Sequence, residues 1–251
     1  MSLAIIGGSG LYQLEGLEVI QQLSLTTPFG EPSDKITKGK LQGKTVFFLP
    51  RHGQQHHLPP HKINYRANIY ALSQLGVKSI VAVNAVGGIS EALSAGDVVI
   101  PEQLIDYSYG REHTFSDGVD TDKPIQHIDF THPYSTELSQ QLVSAAKQVS
   151  CIVVHGGTYG CTQGPRLETA AEIRRMAHDG CTLVGMTAMP EAALAAELGI
   201  GYSSLCVVAN MAAGLSDIPL TIEDIHEVMN EALGRVRKIL SQLIIELPVT
   251  D

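Results

Sequence analysis

Gly164-Pro165-Arg166-Leu167-Glu168-Thr169 opens a stretch that closes on Gly185-Met186-Thr187-Ala188-Met189-Pro190-Glu191, with one helix and one short strand between. Glu168 falls just after a Gly-Pro turn, and Thr187 falls at a strand end before Pro190 starts a helix. In an α/β protein both positions belong to the carboxyl edge of the sheet, where ligand crevices form. The same text also reads as a loop, a helix cap and a buried strand. The rest of the chain has to decide between a site and a scaffold.

Downstream, residues 191–198 read as a helix and 203–208 as a strand that ends in Ala209-Asn210-Met211-Ala212-Ala213-Gly214. Asn210 is the strongly polar side chain at that edge, and an amide offers both a donor and an acceptor. Thr221 and Asp224 form a capping box for a long helix with Ile222, Ile225, Met229, Leu233, Val236, Leu240 and Leu243 at helical spacing. Upstream, 152–155 and 158–161 are strands and 135–149 is an amphipathic helix. Residues 96–101 and 103–106 add strand material. The polar, irregular 107–131 segment contains His113 and His127 and makes a lid, a contact surface or a mobile region.

Three strands nearer the N-terminus end in the same manner. Residues 3–6 run into Gly7-Gly8-Ser9-Gly10, whose bare backbone N–H groups and Ser9 hydroxyl suit an anion. Gln13 stands where a dinucleotide-binding loop needs glycine, and no Gly-Lys-Ser/Thr follows. Residues 45–49 end at Arg51-His52-Gly53-Gln54-Gln55-His56-His57-Leu58-Pro59-Pro60-His61. A guanidinium there forks two oxygens of an oxyanion, and the imidazole supplies a third donor. The four histidines also invite a metal, but Pro59 and Pro60 break any helix that would align them, and no cysteine set stands nearby. Residues 64–75 form a helix closed by Gly76; 79–83 is a strand ending in an Asn84-Ala85-Val86-Gly87-Gly88 turn.

With 251 residues and no linker or charge block, the chain is expected to be one α/β domain spanning 1–251. A net charge of −9 argues against a nucleic-acid or anionic-lipid surface, so an anion must be held by a few focused donors. Cys151, Cys161, Cys181 and Cys206 lack paired spacing, as in a reducing compartment. The N-terminus lacks a basic-then-apolar leader, and no run reaches 18 apolar residues. A cytoplasmic protein without membrane contact is expected.

In order and spacing, Ile5-Ile6-Gly7-Gly8-Ser9-Gly10, Thr27-Pro28-Phe29-Gly30, Arg51-His52-Gly53, Gly164-Pro165-Arg166 and Met186-Thr187 resemble the nucleoside phosphorylase superfamily. The likeness is to its trimeric branch of methylthioadenosine and purine nucleoside phosphorylases. This resemblance implies a mixed, partly barrel-like central sheet flanked by helices. It also implies reversible phosphorolysis, in which inorganic phosphate, a co-substrate, displaces a purine from C1′ with no cofactor and no metal. By position, Ser9, Arg51, His52, the backbone of Ala85 and Thr187 would hold phosphate. Met186 would pack beneath the ribose, with Leu167 near the substrate; Asn210, Glu168 and Thr187 would carry the chemistry.

Where adenosine-type members of this branch carry Thr-Asp-Tyr-Asp, this chain has Ala209-Asn210-Met211-Ala212. Glu168 with Asn210 is the pair that resembles 6-oxopurine enzymes: a carboxylate accepts N1–H, and the amide donates to O6 or N7. Adenine, without N1–H, would leave Glu168 unpaired at a cost of about 1–3 kcal/mol. Ile225 is placed at the 5′ end of the sugar, where an apolar residue favours a methylthio group over a hydroxyl, although a one-residue slip would exchange it with His226. His127 falls where the family uses a histidine from a neighbouring subunit, which implies a homo-oligomer, a trimer. The expected substrate is therefore 5′-methylthioinosine; inosine or guanosine, methylthioadenosine, a non-catalytic nucleoside binder and a hydrolase are the alternatives.

Overall fold

No side chain of β1 (Leu3–Gly7) reaches solvent, as expected of a strand covered on both faces. The fold comes from a computed structural model that describes residues 2–116, 127–216 and 222–247, with the backbone alone for 222–227. Alternate residues of β1 serve two cores. Ala4 and Ile6 pack with Ile69, Leu72, Ala192 and Leu194, whereas Leu3 and Ile5 pack with Leu138, Leu142, Leu233 and Leu240.

Among the described residues, eleven strands form one mixed sheet. After β1 come β2 (Glu18–Leu23), β3 (Ile36–Leu41) and β4 (Lys44–Pro50), then β5 (Ser79–Gly88), β6 (Val98–Ile100) and β7 (Gln103–Asp106). The later strands are β8 (Val154–His155), β9 (Thr158–Cys161), β10 (Leu183–Gly185) and β11 (Gly201–Met211). One path runs β2-β3-β4-β1-β5-β10-β9-β7, while β11 pairs with β5 and β6, and β6 with β8. The expected α/β class with a mixed sheet holds.

Helices cover both faces. α1 (Tyr65–Gln74) starts at Asn64, whose side chain accepts from the Ala67 N–H, and α2 (Thr136–Gln148) starts at Ser135 in the same way. α3 (Ala170–His178) has a capping box between Thr169 and Glu172. α4 (Ala188–Glu197) is interrupted by a non-helical Met189, and α5 (Ile222–Glu246) closes the fold. Met229, Leu233, Val236, Leu240 and Leu243 of α5 are buried as their spacing requires. Thr221 lies outside the described residues, as do the side chains of Asp224 and Ile225, so the capping box has no structural account here.

The register of β5 creates the site. One edge pairs with β11 along its length, from Ser79 to Gly88. The other edge pairs with β1 only through Ala82 and with β10 only at Gly87 and Gly88. Residues 83–86 therefore face a gap between the end of β1 and the end of β10. The sequence predicts a turn here, yet the strand continues to Gly88. A Cβ on Gly88 would come within 3.0 Å of the Met211 sulfur, and one on Gly87 within 3.1 Å of Val184. These glycines admit close neighbours rather than turn the chain.

Candidate active site

A cavity of about 730 Å³ occupies that gap. Gly8 and Ser9 line it from the end of β1, Arg51 and His52 from the end of β4, and Asn84 to Gly87 from β5. Val184 to Thr187 come from the end of β10 and the residues after it, and Ala209 to Ala213 from the end of β11 and just beyond. Residues 56–60 and, from the turn before α3, Pro165, Leu167 and Glu168 also line it. Ser9, Arg51, His52, Ala85, Leu167, Glu168, Met186, Thr187 and Asn210 are thus brought into one cavity from six chain segments. His127 is exposed and does not line it, and the side chain of Ile225 lies outside the described residues.

Arg51 differs in role from the simple oxyanion fork expected of it. Its Nε and Nη2 donate to the two oxygens of Glu191 at 2.7 and 2.8 Å, and Nη1 donates to the Val83 carbonyl at 3.3 Å. Both side chains are buried, Arg51 at 1% and Glu191 at 0% exposure. Burial alone pulls Arg51 toward deprotonation, but the charge and hydrogen bonds of Glu191 outweigh it and hold the guanidinium cationic. The Tyr202 hydroxyl donates to Glu191 at 2.9 Å. Among the described residues, three of the five guanidinium N–H groups are taken, and one on Nη1 and one on Nη2 remain for a ligand. Gly8 makes room for this edge: a Cβ there would lie 2.4 Å from the Val83 carbonyl oxygen and 3.0 Å from Arg51 Nη1.

His52 also departs from expectation. Burial, followed by the neighbouring Arg51 charge, pulls its pKa down to about 4, so the ring is neutral at pH 7. Its Nδ1 faces the Leu58 carbonyl at 2.8 Å and must donate to it. Nε2 is left with a lone pair. In this tautomer His52 is an acceptor rather than a third donor, suited to a protonated phosphate oxygen.

Thr187 is oriented by a relay that sequence reasoning missed. The Ser204 hydroxyl donates to Asn84 Oδ1 at 2.8 Å, and Asn84 Nδ2 donates to Thr187 Oγ1 at 2.8 Å. Since Thr187 Oγ accepts from Asn84, its own proton is free for an anion. Asn84 could have been noticed as an amide inside the buried run Ser79-Ile80-Val81-Ala82-Val83 and beyond, and Glu191 as a carboxylate in an otherwise apolar helix start.

On β11, a β-bulge between Val208 and Asn210 re-aims Asn210 beside Gly87. Its Nδ2 donates to the Met211 carbonyl at 2.7 Å. Glu168 Oε1 accepts from the Thr162 hydroxyl at 2.6 Å. The turn bearing Glu168 is pinned by Glu172, which accepts from Arg166 and from the Thr169 N–H; those bonds pull its carboxyl down to about 2. Behind the wall, Arg111 donates to the carbonyls of Thr162, Gln163, Met186 and Met189 at 2.6–3.1 Å and ties the residues just before Gly164 to the end of the 164–191 stretch.

A sequence model of the Phosphorylase superfamily matches residues 2–245. A protein of Pseudomonas syringae pv. tomato named probable S-methyl-5′-thioinosine phosphorylase is 50% identical over 241 residues, 96% of this chain and 97% of its own. One of Dictyoglomus turgidum named probable 6-oxopurine nucleoside phosphorylase is 45% identical over 248 residues, covering 99% and 92%. The solved methylthioadenosine phosphorylase of Schistosoma mansoni in complex with adenine superposes with a TM-score of 0.92 at 33% identity, over 98% of this chain and 91% of that one. With the motifs spaced as in that family, its sheet architecture and a cleft at the strand ends, the chain belongs to the phosphorylase superfamily.

Proposed function

We propose that the protein catalyses phosphorolysis of S-methyl-5′-thioinosine to hypoxanthine and 5-methylthioribose 1-phosphate. By family it is a nucleoside phosphorylase, a pentosyltransferase. The observation that carries it is the meeting of Glu168 and Asn210 in the same cavity as Ser9, Arg51 and Thr187. One end offers donors to an anion, and the other offers a carboxylate acceptor beside an amide.

The chemistry follows from that division. Phosphate is held by the two remaining N–H groups of Arg51 and the hydroxyls of Thr187 and Ser9. A phosphate oxygen bonds to C1′ as the C1′–N9 bond breaks, and the electron pair leaves with the purine. Positive charge on the sugar is met by the phosphate, and negative charge on the base by Asn210, through its second amide N–H to N7 or O6. Glu168 accepts N1–H. A hydrolase would need an acid at position 210 to protonate the base, and an amide does not supply one.

The 5′-methylthio group is supported by the names of relatives 47–53% identical to this chain and by the place of Ile225 in the sequence. A homotrimer is part of the same reading, with the exposed His127 serving a neighbouring copy's site. A cytoplasmic location fits it too; among the described residues no helix is long and apolar enough to cross a membrane.

The test is base release from methylthioinosine, inosine, methylthioadenosine and adenosine, each with and without phosphate. Methylthioinosine should lead and require phosphate. Methylthioadenosine in the lead would refute the base assignment, and phosphate-independent release would refute the reaction. Asn210→Asp should move preference from 6-oxo toward 6-amino purines; unchanged preference would show that residue 210 does not meet the base.

A further inference from the structure

Thr162 was not among the residues expected at the site, and it holds one oxygen of Glu168. Its hydroxyl has a single proton and two acceptors in reach, Glu168 Oε1 at 2.6 Å and the Gly185 carbonyl at 3.3 Å. The Gly185 carbonyl is already served by the Thr162 backbone N–H at 2.8 Å. The proton therefore goes to Glu168. Thr162 itself has little freedom: it is 9% exposed, its N–H is tied to Gly185 at the end of β10, and its carbonyl accepts from Arg111 at 3.1 Å.

We propose that Thr162 is a positioning residue for base selectivity, holding one oxygen of Glu168 so that Oε2 is presented to the N1–H of a 6-oxopurine. The donor fixed on Oε1 sets the direction of the carboxyl group and leaves Oε2 as the oxygen aimed at N1–H, a proton that a 6-aminopurine lacks. The rigid backbone of Thr162 also removes the rotamer freedom that a loop carboxylate would otherwise lose on binding. This inference rests on the proposed phosphorolysis of purine nucleosides and adds the device that sets the choice of base.

The experiment compares kcat/KM for methylthioinosine and methylthioadenosine in the wild type, Thr162→Val and Thr162→Ser, with melting temperatures alongside. Loss of a hydrogen bond to a charged group should lower the 6-oxo to 6-amino ratio about tenfold in Thr162→Val, mainly through the KM for methylthioinosine. Thr162→Ser, which keeps the hydroxyl, should stay within about threefold of wild type. A ratio unchanged in Thr162→Val overturns the inference, whether or not both rates fall together, because a purely structural role would lower both alike. If Thr162→Val does not fold, Thr162→Ala against Thr162→Ser carries the same comparison. A wild-type protein that releases no base from any nucleoside overturns the functional reading and this inference with it; normal wild-type turnover with an unchanged mutant ratio overturns this inference alone.

Discussion

Replacing Glu191 with glutamine tests the floor of the cavity. In the native protein two Arg51 N–H groups meet two carboxylate oxygens at 2.7 and 2.8 Å, and Tyr202 donates to one of them. Glutamine keeps one oxygen and turns the other acceptor into an NH2 group that faces an Arg51 N–H. The guanidinium, 1% exposed, stays charged without its counter-charge. Removing one partner of a buried pair costs about 3–5 kcal/mol. At roughly 2–4 °C per kcal/mol for a chain of this size, the melting temperature should fall by roughly 6–20 °C. Calorimetry measures this, and the KM for phosphate measured below the transition should rise, because an unanchored Arg51 no longer presents its free edge. The double variant Arg51→Met/Glu191→Leu removes both charges and should be more stable than Glu191→Gln while losing phosphate affinity. A fall of less than about 2 °C in Glu191→Gln, or a double variant as unstable as the single one, would refute the view that the pair is a tightly coupled buried unit.

Asn84→Ala should raise the KM for phosphate about tenfold or more by removing the donor that orients Thr187, and kinetics at saturating nucleoside would show it. Arg111→Met strands the carbonyls of Thr162, Gln163, Met186 and Met189; both the melting temperature and nucleoside affinity should fall, and Arg111→Lys should restore only part, since an ammonium lacks the planar fork. Acidification should destabilise the fold through His52. Its pKa is about 4 in the folded state against 6.5 unfolded, so the unfolded chain binds the proton more readily. The stabilisation from keeping this ring neutral is complete above pH 6.5 and is lost as pH falls toward 4, by on the order of 3 kcal/mol. His52→Gln should flatten that part of the stability–pH curve, as urea titrations between pH 4 and 7 would reveal.

Strand ends were legible because composition changes sharply there: an apolar run stops and Gly-Ser, Arg-His, Met-Thr or Ala-Asn follows. That signal located Ser9, Arg51, His52, Thr187 and Asn210, and the Gly-Pro turn located Glu168. It did not reveal which hydrogen-bond valences the scaffold already uses. Arg51 and Glu191 are 140 residues apart, and Asn84 and Thr187 103 apart, so no local pattern links them. The Gly87-Gly88 pair misled for a related reason. Glycine in a strand reports a neighbour's close approach, and here the neighbours are Val184 and Met211 from strands far along the chain. The Thr169/Glu172 capping box is written in Thr169-Ala170-Ala171-Glu172, directly after the Gly-Pro turn.

What a ligand can use is the valence left after the fold has taken its share. Among the described residues, the fold takes three N–H groups of Arg51, Nδ1 of His52, one acceptor site of Thr187, one amide N–H of Asn210 and Oε1 of Glu168. The remainder is two cationic N–H groups and a hydroxyl proton at one end, with a lone pair on His52 beside them. At the other end it is one carboxylate oxygen, with the second N–H and the carbonyl oxygen of the Asn210 amide. Each leftover group is fixed in direction by the bond its own side chain makes to the scaffold, so little reorganisation is needed when charge moves from the phosphate toward the purine. The buried pair, the Ser204–Asn84–Thr187 relay and the Thr162–Glu168 contact therefore belong to the same design as the cavity they surround. Loss of any one should be felt first in the affinity of the end it serves, phosphate for the first two and base for the third.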